Sequence, residues 1–166
     1  MSKTVLSLLV DNVSGVLSRV AGLFSRRGYN IESITAGVTA NPKYTRITVV
    51  ATGDELILEQ ITNQLRKLED VRDIKELKPE CAVCRELMMV KVKAGPGDRQ
   101  PISTITDIFR GTIVDVGRES LTILLTGDQS KLEALLGLLG DYEILELART
   151  GLTALARGAE DVTYLP

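Results

Sequence analysis

The hydrophobic periodicity of this chain switches between strand and helix spacing in a fixed order, and then repeats that order. Residues 4–10 carry Leu6, Leu8 and Val10 in alternation, which predicts a strand. Residues 14–27 place Val16, Leu17, Val20, Leu23 and Phe24 at helical spacing. Gly28, after Arg26 and Arg27, marks the helix stop. Residues 30–38 and 44–51 read as strands joined by the turn-rich Ala40-Asn41-Pro42-Lys43. Thr52-Gly53-Asp54 opens a second helix, with Asp54 as N-cap and Leu58, Ile61, Leu65 and Leu68 as its apolar stripe. Residues 71–77 close the unit as a strand, giving βαββαβ.

The second half runs through the same elements. Leu87–Lys93 alternates, with Met88, Val90 and Val92 on one face. Ile102, Ile105 and Phe109 mark a helix ended by Gly111, and Thr112–Val116 and Leu121–Thr126 are strands. Thr126-Gly127-Asp128 repeats the Thr-Gly-Asp of 52–54 at the same place in the unit. The helix that follows carries Leu132, Leu135, Leu136 and Leu139, and Tyr142–Leu147 is the closing strand. A split βαβ unit of this kind makes an antiparallel sheet with two helices on one face. The expected fold is therefore α+β, two ferredoxin-like plaits in tandem. The expected bounds are 1–78 and 85–166, with 79–84 as a linker opened by Lys78-Pro79-Glu80. A plait of about 80 residues is marginal alone, so each gains from a packing partner.

Charge and residue usage narrow the function. Residues 1–80 carry 11 Lys and Arg against 10 Asp and Glu, and residues 81–166 carry 9 against 12. Neither half has the basic excess of a phosphate-backbone binder, so no nucleic-acid partner is expected. The sequence has no apolar run near the length of a membrane span and no leader-like opening, and it reads as cytoplasmic with no membrane partner. It has no histidine, which removes His-based acid–base chemistry, nucleophile activation and metal ligation together. Lys91, Lys93, Glu143 and Glu146 lack a nucleophile–base arrangement and read as solvated-face charges.

The stretch richest in binding chemistry is Asp11-Asn12-Val13-Ser14-Gly15-Val16-Leu17, between the first strand and first helix. A helix N-terminus offers unpaired N–H groups and partial positive charge to a carboxylate. Gly15 lets a ligand approach the backbone, and Asn12 both donates and accepts. Val13, Val16 and Leu17 supply an apolar wall, so the stretch suits an α-amino acid. The alternative is plain capping, in which Asn12 or Ser14 closes the helix and Gly15 is incidental. In Gly28-Tyr29-Asn30-Ile31-Glu32-Ser33, Asn30 is either part of a strand entrance or a polar prong at a sheet edge, where a second copy could add.

Two runs, Leu8 to Val20 (LLVDNVSGVLSRV) and Leu23 to Thr35 (LFSRRGYNIESIT), resemble the ACT domain of acetolactate synthase (acetohydroxyacid synthase) small subunits. Arg85 to Val92, Ile108 to Val116 and Ala148 to Gly151 resemble landmarks of that family's C-terminal domain, so the resemblance covers nearly the whole chain. The resemblance implies a non-catalytic regulatory subunit that dimerises through its ACT domains and binds a branched-chain amino acid, usually valine. It implies a large catalytic partner that holds thiamine diphosphate, Mg²⁺ and FAD, with no cofactor on this chain. The family's effector site carries over onto Asn12, Val13, Ser14, Gly15, Val16 and Leu17 of one protomer and Asn30 and Ile31 of the other. Ala94-Gly95-Pro96-Gly97-Asp98, at the equivalent place in the second unit, lacks Asn-x-Ser-Gly, and no second effector site is expected there. Cys81 and Cys84 form a C-x-x-C that the family does not demand. They read as two free thiols, or as half of a Cys₄ site shared across a dimer. A free-standing ACT-type regulator of the same construction is the competing function.

Overall fold

In the computed structural model, which describes residues 2–159, the chain divides into two compact units. The first comprises residues 2–83 and 152–159, and the second residues 84–151.

In the first unit β1 (Ser2–Asp11), α1 (Val16–Arg26), β2 (Asn30–Val38), β3 (Tyr44–Gly53), α2 (Glu55–Arg66) and β4 (Val71–Leu77) form an antiparallel sheet in the order β2-β3-β1-β4. The alternation read in β1 does its expected work. Leu6, Leu8 and Val10 face a core with Val20 and Phe24 of α1 and Leu58, Ile61 and Leu65 of α2. Val5, Ser7 and Leu9 on the other face are buried as well. Asp54 caps α2 by accepting from the Leu56 N–H at 3.0 Å. Gly53 is required beside it, because a Cβ there would stand 2.4 Å from the Tyr29 ring. Gly28 ends α1 at φ 67°, the left-handed turn expected of a helix stop.

The second unit holds most of β5 (Ala82–Lys93), then α3 (Arg99–Ile108), β6 (Thr112–Val116), β7 (Ser120–Gly127), α4 (Gln129–Leu138) and β8 (Ile144–Arg149), in the sheet order β6-β7-β5-β8. Met88, Val90 and Val92 pack with Ile102, Leu132 and Leu135. Asp128 repeats the role of Asp54 and accepts from the Lys131 N–H at 2.9 Å. That bond, ahead of one from Ser130, holds the Asp128 carboxyl below its usual range. Glu86, almost fully buried, takes both ends of the Arg149 guanidinium at 2.9 and 3.0 Å. Lys91 and Lys93 pair with Glu146 and Glu143 at 3.2 and 3.5 Å.

The chain departs from the expected bounds at two places. In place of a linker over 79–84, only Pro79–Cys81 forms a turn after β4, still inside the first unit, and β5 already starts at Ala82 and buries it. A strand that the sequence pattern does not predict, β9 (Thr153–Ala156), belongs to the first unit, whereas 85–166 is expected as one piece. β9 runs against β4, Ala154 is buried, and beyond it the Arg157 N–H donates to the Cys81 carbonyl at 2.9 Å.

Candidate functional site

The loop between β1 and α1 leaves the helix open at its N-terminus. Gly15 is the N-cap residue, at φ 85°, and no side chain caps the helix. Capping by Asn12 or Ser14, the bland alternative, does not occur. Asn12 instead turns to the β2–β3 connection, where its Nδ2 donates to the Pro42 carbonyl at 3.0 Å and its backbone N–H to that of Lys43 at 2.8 Å. Its amide keeps acceptor capacity, and Asn12, Val13, Ser14 and Gly15 are all exposed. The first-turn N–H groups of α1 lie beyond these residues, where intrahelical partners are missing by construction.

The apolar wall is smaller than expected. Val16 is buried at 6% and belongs to the core. Val13 and Leu17 stand 48% and 43% exposed. Leu17, expected in the helix's buried stripe, is therefore a surface residue beside the uncapped end. Large apolar side chains in solvent at an open helix terminus suit a ligand with a carboxylate and an aliphatic group.

Two ion pairs bracket the loop, and neither is predicted by the sequence pattern. Asp11, just before it, accepts from Arg72 Nε and Nη2 at 2.7 and 2.6 Å. The Arg72 hydrogen bonds hold the Asp11 carboxyl below the usual range against mild desolvation. Arg19, just after the loop, pairs with Asp70. The Asp70 carbonyl also accepts from the Asp11 N–H at 2.8 Å. The available signal is four charges of alternating sign, but their separations of 51 and 61 residues hide the pairing.

Asn30 and Ile31 lie at the far end of the same sheet. Asn30 pairs with Thr52, and Thr52 with Lys3, whereas the loop leaves β1 at Asp11, opposite Tyr44. Eight strand residues at about 3.3 Å each separate these ends by roughly 26 Å. One chain therefore does not bring Asn30 and Ile31 together with residues 12–17. Ile31 is half-buried against the core and Asn30 is exposed on β2, an edge strand. In the second unit, the equivalent loop is closed by Asp98, which accepts from the Gly95 N–H at 3.0 Å.

Comparison with known proteins matches both units. Residues 6–73 fit a family described as the AHAS small subunit-like ACT domain, and residues 85–158 one described as the small subunit of acetolactate synthase. A probable acetolactate synthase small subunit of Methanothermobacter thermautotrophicus is 52% identical over 156 residues, covering 93% of each chain. The acetolactate synthase isozyme 3 small subunit of Escherichia coli is 46% identical over 157 residues, 94% of this chain and 96% of that one. The crystal structure of an acetolactate synthase small subunit from Thermotoga maritima superposes with a TM-score of 0.88 at 40% identity, over 96% of this chain and 99% of that one. With this identity along nearly its full length, and both of the matched units in tandem, the chain belongs to the family of acetolactate synthase small subunits.

Proposed function

We propose that this chain is the regulatory subunit of an acetolactate synthase serving branched-chain amino-acid biosynthesis. It raises the turnover of a separate large catalytic subunit and conveys feedback inhibition by valine. Family membership supports the regulatory role. The uncapped α1 N-terminus, with Gly15 bare and Val13 and Leu17 in solvent, carries the effector assignment. It offers N–H donors for a carboxylate, Asn12 for an ammonium or carboxylate, and aliphatic surface for a branched side chain. Ser14 lines the same loop. Thiamine diphosphate, Mg²⁺ and FAD belong, in this reading, to the catalytic subunit, and the assembly works in the cytoplasm.

The register of the sheet supports a site made by two copies. β2 is an edge strand whose Val38 pairs with Thr45, beside the Asp11–Tyr44 pair at the loop end. Antiparallel pairing of β2 with its own copy places residue 30 of one protomer opposite residue 38 of the other. Asn30 and Ile31 of one chain then approach the loop 12–15 of its partner. Pairing also removes an exposed edge from a marginal unit.

Calorimetric titration of the purified chain with valine, leucine and isoleucine tests the effector assignment. Saturable binding with valine strongest is expected. Absence of binding by all three contradicts it.

A further inference from the structure

The loop 12–15 is held from outside the effector-contacting residues, and the hold converges on one acidic residue. Asp70 precedes β4 and touches both flanks of the loop: its carbonyl accepts the Asp11 N–H at 2.8 Å, and its carboxylate pairs with Arg19. Arg19 is itself bound to the loop's last residue, since its N–H donates to the Gly15 carbonyl at 3.1 Å. Its guanidinium lies across that glycine, with Nη1 3.0 Å from where a Gly15 Cβ would stand. Arg72, two residues further on, fixes the carboxylate of Asp11. The loop has no helix cap to shape it, so these ties and the Asn12 bonds to Pro42 and Lys43 set its conformation.

We propose that Asp70 is a positioning residue for the effector: through the Arg19 guanidinium it holds Gly15 and the first turn of α1 in the geometry that receives an amino-acid carboxylate. This rests on the reading of residues 12–17 as the effector loop. The Asp70 carboxylate is engaged by Arg19 and would repel the ligand's own carboxylate, so it does not serve as that group's contact. The Arg19–Asp70 pair is partly exposed, with side chains 46% and 23% accessible, so it contributes little to overall stability. Its effect falls on the placement of the loop, and placement of this kind changes effector affinity by roughly 3- to 30-fold.

Valine titration of the full chain by calorimetry, beside the melting temperature without valine, tests this on Arg19→Gln, Asp70→Asn, Asn12→Ala and the exchanged pair Arg19→Asp with Asp70→Arg. The expected result is that Arg19→Gln and Asp70→Asn each weaken valine by about 3- to 30-fold at a nearly unchanged melting temperature, and that the exchanged pair recovers most of the loss. Weakening by Arg19→Gln alone makes Arg19 a direct ligand contact and overturns the positioning role. So does failure of the exchanged pair to recover affinity, or a fall in melting temperature with valine affinity unchanged. If Asn12→Ala weakens valine while the two single variants do not, the positioning inference fails and the effector loop stands. If Asn12→Ala binds valine as the parent does, the effector loop itself is overturned, and this inference with it.

Discussion

The Asn12 amide bonds to the Pro42 carbonyl at 3.0 Å instead of to α1, and this separates two otherwise similar outcomes of mutation. A helix cap replaced by alanine costs ~1 kcal/mol of stability. A lost hydrogen bond to a charged ligand group costs ~1.5–3 kcal/mol of binding, about a 10- to 150-fold loss of affinity. Asn12→Ala is therefore expected to melt close to the parent without valine and to lose most of the valine-induced rise. Thermal melting of both proteins with and without valine checks this. A variant that melts early yet keeps the full rise contradicts the assignment. Periodicity places Leu17 on the buried stripe because it sits at i+1 from Val16, yet it is 43% exposed. Spacing cannot tell the edge of a stripe from its centre, and here the edge residue is the one that faces the proposed ligand.

Element order was legible because each switch of period coincided with a polar or glycine breaker. Both Thr-Gly-Asp turns close a strand and cap the following helix through their Asp. The middle residue of the first is fixed by packing, with the Tyr29 ring 2.4 Å from any Cβ at Gly53. Gly53→Ala is expected to cost ~1–3 kcal/mol, the penalty of overpacking, read as a lower midpoint in urea at unchanged slope. A midpoint equal to the parent's contradicts the tight contact. β9 is invisible to periodicity because four residues, Thr153–Ala156, carry too few alternations to register, and its contact with β4 is non-local. The clamp by Asp70 and Arg72 is hidden for the same reason. At the β2 edge, Ile34 is exposed on the strand proposed to pair with its own copy. Ile34→Lys puts a charge where natural edges carry one to prevent pairing. Light scattering is expected to give a dimer for the parent and a monomer for this variant at micromolar concentration. A monomeric parent contradicts pairing of the first unit.

At the scale of the whole molecule, two plaits built on one plan differ in the loop that opens each first helix. Neither first helix takes a side-chain cap, but the first loop turns through a left-handed Gly15 at φ 85°, whereas the second is tied by Asp98 accepting from the Gly95 N–H. Duplication of the fold was readable from sequence. The proposed division of labour rests, in the sequence, on the absence of Asn-x-Ser-Gly from the second copy. The proposed joining of Asn30 of one chain to the loop of another is motivated by strand register, which places the two at opposite ends of one sheet. The proposed function is that this chain regulates a catalytic partner without catalysing. Acetolactate formation from pyruvate by the purified large subunit, measured alone, with this chain, and with this chain plus valine, tests it most directly. Expected are no product from this chain by itself, a higher turnover when the two are mixed, and a fall when valine is added. Product from this chain alone, or a turnover of the large subunit unchanged by its presence, contradicts it.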